Sequence, residues 1–240
     1  MLIHADVKSL EVCCAAYLSK DPTLCQEIWN NYTNPTQDDL HTTNQKVFQL
    51  PDRVTAKRFT FKMLYGGSDY GFSIDPKFNH VSSSKSFWAN VIERFYSKYQ
   101  GVRAWHNTLL PEVLATGQLV APTGRCFTFD RADVAKRDWF WLPKLKNYPV
   151  QGLGADLVAI GRVAAWKRLR KAGIPVLFQS TVHDSLDIDC EACYNRRVIE
   201  IVKGAIEDIP LNFERLFNKP FDLPLTTSIT SGPNLKEQHE

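Results

Sequence analysis

Arg53-Val54-Thr55-Ala56-Lys57-Arg58-Phe59-Thr60-Phe61-Lys62-Met63-Leu64-Tyr65-Gly66 places Arg53, Lys57, Phe61 and Tyr65 at steps of four. On an α-helix these side chains form one slowly drifting face. Two cations are followed by two aromatic rings along it. Such a face can hold a triphosphate at one end and a flat base at the other. The same spacing also suits an amphipathic helix with a basic surface, so the flanking sequence must decide.

Two acidic segments supply the counterpart. Near the start, Leu2-Ile3-His4-Ala5-Asp6-Val7-Lys8-Ser9-Leu10-Glu11-Val12 reads as an apolar strand ending at Asp6 and then a helix over Glu11 to Leu18. Near the end, Val176-Leu177-Phe178-Gln179-Ser180-Thr181-Val182-His183-Asp184-Ser185-Leu186-Asp187-Ile188-Asp189 reads as two β-prone runs flanking His183-Asp184 in a tight hairpin. Sequence does not show whether Asp6 and Asp184 meet. If they do, they offer the hard oxygen ligands Mg²⁺ prefers. Two such ions roughly 3.5–4 Å apart clamp the attacking and leaving oxygens of a phosphoryl transfer. A single Asp at a strand end more often serves a turn or cap. The order of the three segments is the specific signal.

That order, with the pattern R-x3-K-x3-F-x3-YG, resembles motifs A, B and C of the family A DNA polymerases, the group that includes bacterial DNA polymerase I and phage replicative enzymes. The resemblance continues through Asp39-Leu40-His41, Glu93 to Val102 with Gln100 where the family has Pro, Gly117 to Phe127, Asn147 to Asp156, and the tail Ser231-Gly232-Pro233-Asn234-Leu235. It spans nearly the whole chain.

The resemblance implies a role for each matched residue. Asp6 and Asp184 bind two Mg²⁺ ions, with the Val7 carbonyl as a further ligand. Lys57, Arg53 and His41 hold the phosphates of an incoming dNTP, and Lys57 is the candidate proton donor to the leaving pyrophosphate. Glu11 fills the space of a ribose 2′-OH, and Tyr65 packs under the sugar and hydrogen-bonds Glu11. Phe61, where relatives can carry Tyr, implies poor use of 2′,3′-dideoxynucleotides. Asn147, Gln151 and His183 touch primer-template DNA, with Gln151 suited to the minor-groove acceptors shared by all base pairs. Chemistry of this kind rests on positioning and charge stabilisation, which cations opposite paired carboxylates can provide.

Several positions depart from the family pattern. Lys8 and Cys13 are unusual in motif A. Ser185 replaces the Glu of motif C. The basic residue four before Asn147 is Pro143, with Lys144 or Lys146 as substitutes. His-Asp-Ser also occurs in single-subunit RNA polymerases, so a fragment of that class is a competing reading, which Glu11 opposes. A non-catalytic DNA-binding or assembly subunit is another, which Ser185 favours.

The implied fold class is α+β: a right-hand palm with an antiparallel sheet and a mainly helical fingers insertion. Residues 1–22 form the first part of the palm, 23–145 the fingers and 146–240 the second part of the palm. A helix is expected over Cys193–Ile206, a hairpin over Leu119–Phe129 and a final strand over Leu225–Thr230. The family's thumb and exonuclease domain have no counterpart here. Either the chain is a fragment or, as is expected here, it is one part of a split polymerase, with a separate polypeptide supplying the thumb and N-terminal palm, with or without a 3′–5′ exonuclease. The strand at the extreme N-terminus is expected to leave a sheet edge in need of a partner.

A net charge of +3 means that nucleic-acid binding rests on local patches. Lys57, Arg58 and Lys62 form one. Arg162, Lys167, Arg168, Arg170 and Lys171 form another, which reads as a solvated helix face. No apolar run approaches the ~20 residues of a membrane span. Six cysteines without a disulfide pattern, including the lone pair Cys190 and Cys193, fit a structural role and a reducing, cytoplasmic setting, in a host cell if phage-encoded.

Overall fold

Ile3, Ala5 and Val7 are buried, while Leu2, His4 and Asp6 are only partly covered. Strand β1 (Leu2–Val7) thus keeps the two-residue alternation of a strand with one face on a core. The computed structural model describes residues 1–35, 38–136, 141–234 and 236. Its backbone contacts divide the chain into two units, Met1–Glu11 with Gly152–Glu240, and Val12–Gln151. The fold is α+β with an antiparallel sheet, as the sequence implies.

In the first unit the sheet runs β4 (Val176–Val182), β5 (Ser185–Cys190), β1, β6 (Thr227–Gly232). Every neighbouring pair is antiparallel. The register sets His4 against Asp187, and Asp6 against Ser185 on one side and Ser228 on the other. The expected unpaired edge on β1 is corrected here: β1 lies inside the sheet, and β4 and β6 form its edges. The reason is backbone hydrogen bonding. A strand with a fully buried face satisfies its N–H and C=O groups best between two partners.

Helix α10 (Asn195–Glu207) packs on β1 and β6 and buries Val198, Val202, Ala205 and Ile206 at helical spacing. Helix α11 (Ile209–Phe217) follows it with Pro210 in the first turn, where a missing N–H costs nothing. It buries Ile209 and Phe213, one turn apart. No element was expected there. Gly161, on α9 (Leu142–Lys171), is a close-approach glycine: a Cβ there would sit 2.9 Å from Ile209 Cδ1. The last strand lies two residues later than expected, and α10 starts two residues later and ends one later, because Ala192–Tyr194 forms a separate short 3₁₀ turn ahead of it.

The second unit is helical. It comprises most of α1 (Leu10–Ser19), then α2 (Pro22–Thr33), α3 (Leu40–Phe48), α4 (Arg53–Leu64), α5 (Asp69–Ser73), α6 (Lys85–Lys98), α7 (Gln100–Thr116), α8 (Arg131–Ala135) and the start of α9. A short hairpin, β2 (Gln118–Val120) with β3 (Cys126–Thr128), starts one residue before the expected Leu119–Phe129 region and otherwise falls inside it. Asp21, Asp39, Asp52, Ser68 and Ser84 each cap a helix by accepting the backbone N–H three residues on. The core is aromatic. Phe48, Phe59, Phe72, Phe78, Trp88 and Phe95 pack with ring centroids between 4.9 and 6.1 Å apart. Truncating one such ring to Ala typically costs about 3–5 kcal/mol. This cluster anchors α4 through Phe59, leaving the opposite face of α4 for other work. None of the six cysteines is in a disulfide.

Candidate active site

In the first unit, the sheet brings the two acidic segments together. Asp6 ends the partly exposed face of β1, directly across from Ser185. His183 and Asp184 are the two-residue turn between β4 and β5. Val7 donates its backbone N–H to the carbonyl oxygen of Asp184 at 2.9 Å. Asp6 is further fixed from the other side, where Thr227 Oγ1 donates to its carbonyl oxygen at 2.8 Å. His183 holds a left-handed backbone, φ 53°, which costs a non-glycine residue roughly 1–2 kcal/mol. The conformation turns the hairpin in two residues and leaves the His183 side chain exposed. Ser185 is buried and its hydroxyl donates to Val182 O at 2.9 Å, inside the turn. Glu11 stands in the first turn of α1, partly buried.

In the second unit, α4 starts at Arg53, with Asp52 as its cap, and ends at Tyr65. Thr55, Ala56, Phe59, Thr60, Met63 and Leu64 face inward; Arg53 and Lys57 are exposed and Phe61 and Tyr65 partly so. The four-step face is therefore outward-facing. Lys57 Nζ lies 5.9 Å from the centre of the Phe61 ring. The His41 ring, on α3, lies 5.9 Å from the same ring. Asn44 Nδ2 donates to Thr60 Oγ1 at 3.1 Å and sets α3 against α4.

Asp39 was quoted from the sequence as part of a motif, but its task is visible only in three dimensions. Its carboxylate caps α3 and takes the Arg53 guanidinium in a forked ion pair, with Nε 3.1 Å from both oxygens. Burial opposes its ionisation, but Arg53 and the Thr42 hydrogen bonds outweigh burial and hold the carboxyl well below its usual range. His41 is only 6% exposed. Burial, with Arg53 and Lys57 adding to it against Asp39, lowers its pKa to about 4. Its Nδ1 has no hydrogen-bond partner among the described residues. A buried, unpaired imidazole nitrogen beside two cations is a costly arrangement unless something else engages it.

At the other end of α4, Gln151 Nε2 donates to Tyr65 Oη at 2.7 Å. Asn147 lies one helical turn before Gln151 on α9. Gly66 has φ 82°, and a Cβ there would come within 2.7 Å of Lys146 Cδ and 3.1 Å of its Nζ. Of the two substitutes for the missing basic residue, Lys146 is thus the one that packs against the Tyr65-Gly66 turn. Leu235 of the tail motif lies outside the described residues.

The donor chemistry fits Mg²⁺. Among the described residues no three His, Cys, Asp or Glu side chains gather into a cage. Mg²⁺ does not need one: it is usually held by one or two carboxylates and completes its shell with water and substrate phosphates. Asp6 and Asp184 place two carboxylate residues at one end of the sheet. No described helix is long and apolar enough to cross a membrane.

Comparison with known proteins agrees with this architecture. The model of DNA polymerase family A matches residues 1–237. DNA polymerase I of Aquifex aeolicus is 24% identical over 230 residues, covering 90% of this chain and 38% of that protein. DNA polymerase I of Bacillus subtilis is 23% identical, covering 98% of this chain and 26% of its own length. The thermostable DNA polymerase I of Thermus filiformis is 29% identical over 235 residues, with 89% and 26% covered. The chain thus spans about a quarter to two-fifths of the length of these relatives. The polymerase domain of Pol1 from M. smegmatis, solved in complex with a DNA primer-template and dNTP, superposes with a TM-score of 0.77 at 20% identity, over 96% of this chain and 39% of that one. With a match over almost every residue, this chain belongs to DNA polymerase family A.

Proposed function

We propose that this chain performs template-directed DNA synthesis, with residues 1–22 and 146–240 as palm and 23–145 as fingers. The 3′-hydroxyl of a primer attacks the α-phosphate of a dNTP, a new phosphodiester bond forms and pyrophosphate leaves. The observation that carries this reading is the Val7–Asp184 backbone bond, which joins two distant acidic segments at one end of a sheet. The family and the solved complex of its relative with primer-template and dNTP support it.

Asp6, Asp184 and the Val7 carbonyl would hold two Mg²⁺ ions, which when bound lower the barrier by neutralising charge on the attacking and leaving oxygens. The rest of the work belongs to side chains. Lys57 and Arg53 attract the triphosphate, and Lys57 is the proton donor to the leaving group. His41, neutral at pH 7, donates one N–H to a phosphate oxygen rather than adding a charge. Arg53 reaches the phosphates from its ion pair with Asp39, so the two acceptors compete for it. Phe61 stacks on the base, Tyr65 lies under the sugar, and Glu11 excludes a 2′-hydroxyl. Gln151, oriented by Tyr65, reads the minor groove beside Asn147, and His183 meets the primer end.

Ser185 favours one competitor, a non-catalytic DNA-binding subunit, because its hydroxyl is spent inside the turn and supplies no third carboxylate. Primer extension with Mg²⁺ and dNTPs separates the two. It should be run on the chain alone and with whatever polypeptide co-purifies with it. Template-dependent extension in either preparation supports the catalytic reading; DNA binding without extension in both supports the subunit.

A further inference from the structure

Leu157 to His183 holds five cations and no carboxylate. The structure sorts those cations. Arg168 is committed to Asp208, Nη2 to Oδ2 at 2.6 Å. Arg162, Lys167, Arg170 and Lys171 are exposed along the last turns of α9, interleaved with Val163 and Trp166. Trp166 is 44% exposed, and the Arg170 guanidinium stacks on it at 4.9 Å from the ring centre. Lys167 and Lys171 form no ion pair among the described residues. Arg162 Nη1 donates to Thr181 Oγ1 at 3.2 Å, which sets this face beside the edge strand β4. There Leu177 (59% exposed) and Val182 are also uncovered. The strand ends at the His183-Asp184 turn.

A solvated helix face accounts for cations alone. It does not account for an exposed indole with a guanidinium on one side, in a segment from which every acid is missing. Steps of four on a helix advance about 6 Å, so Arg162, Trp166 and Arg170 form one row, with Val163, Lys167 and Lys171 beside it. A row of cations that alternates with a flat ring suits a polyanion that also carries flat, unstacked groups. Single-stranded nucleic acid has both: phosphates for the cations and bases for the indole. Duplex DNA hides its base faces, and an acidic peptide has no use for the ring.

We infer that the exposed face of the α9 C-terminal turns, with the adjoining β4 edge, binds single-stranded DNA at a site separate from Asp6 and Asp184. The choice of DNA over other nucleic acids rests on the polymerase reading; the site itself does not. Phosphates lie along Lys167, Lys171 and Arg162, and a base stacks on Trp166 opposite Arg170.

The test is fluorescence anisotropy of a labelled oligothymidylate of about twenty nucleotides at stepped KCl concentrations. The chain is compared with Trp166→Ala and with Lys167→Glu/Lys171→Glu, all checked for unchanged thermal unfolding. Trp166→Ala is expected to weaken binding about 5- to 150-fold. The double charge reversal is expected to weaken it and to flatten the log–log salt slope by about 1.4, two single-strand phosphate contacts' worth. Binding by either variant within twofold of the parent overturns the proposal. So does equally effective competition by polyglutamate, or by vesicles containing phosphatidylserine, because neither needs a stacked base. Asp184→Asn is the control: it should abolish extension and leave this binding unchanged, so the polymerase reading and this site can fail independently.

Discussion

Val7 donates its backbone N–H to the carbonyl oxygen of Asp184 across 2.9 Å, tying the end of the first strand to the tip of a hairpin formed far along the chain. Side-chain carboxylates can drift; a backbone bond in a four-stranded sheet does not. The positions of Asp6 and Asp184 are therefore set by the sheet, before any ligand arrives.

His183 occupies a left-handed conformation that glycine adopts without cost. His183→Gly is expected to fold at least as stably as the parent, with a gain of up to about 1 kcal/mol in urea unfolding. The same variant should extend primers more slowly, because the imidazole proposed to meet the primer end is gone. A less stable variant with full activity would mean that the side chain serves packing and not DNA.

Glu11, in the first turn of α1, is assigned to exclude the 2′-hydroxyl. Glu11→Ala should raise ribonucleotide incorporation relative to deoxyribonucleotide by about a hundredfold, the scale at which a pocket discriminates one hydroxyl. Single-nucleotide insertion assays with matched dNTP and rNTP give the ratio. An unchanged ratio points to the RNA polymerase-like reading.

Asp39 holds Arg53 and caps α3 at once. Asp39→Asn keeps the cap, since Asn serves that position as well as Asp, but releases the guanidinium from its anion. The KM for dNTP should fall a few-fold, while Arg53→Ala raises it. If Asp39→Asn weakens dNTP binding instead, the ion pair positions Arg53 and does not compete for it.

Two buried histidines make stability depend on pH. Burial lowers His41 to about 4 and His106 to about 3, the latter helped by Lys146. Both values lie below the unfolded value near 6.5, so the unfolded chain binds the extra proton first. Stability is complete above pH 6.5 and falls as pH descends toward 4. Each histidine should remove about 2 kcal/mol by pH 5. Urea midpoints measured from pH 7.5 to 5 should show the loss, and His106→Gln should make that decline shallower. A parallel decline in the variant would place the titration elsewhere.

Much of this was legible in the sequence, for local reasons. The α4 face follows from spacing alone, and the stretch that carries it opens at Arg53, the first residue of the helix. The His183-Asp184 hairpin shows in two β-prone runs around a two-residue gap. What stayed hidden is non-local. Nothing in Leu2–Val7 says that β1 takes two partners, because strand order depends on where β5 and β6 arrive. The Arg53–Asp39 pair and the unpaired His41 Nδ1 depend on how α3 docks on α4. Helix α11 is short and begins at an Asp-Ile-Pro step that reads equally as a turn. The exposure of Trp166 has no sequence signature, since an indole at helical spacing more often faces a core.

The most direct measurement is template-dependent primer extension by Asp6→Asn and Asp184→Asn, in whichever preparation of the parent is active. Each variant should keep the parent's unfolding curve and primer-template affinity and lose extension by on the order of 10³-fold or more. Extension near the parental rate in either variant would contradict the assignment of these two carboxylates as the catalytic pair.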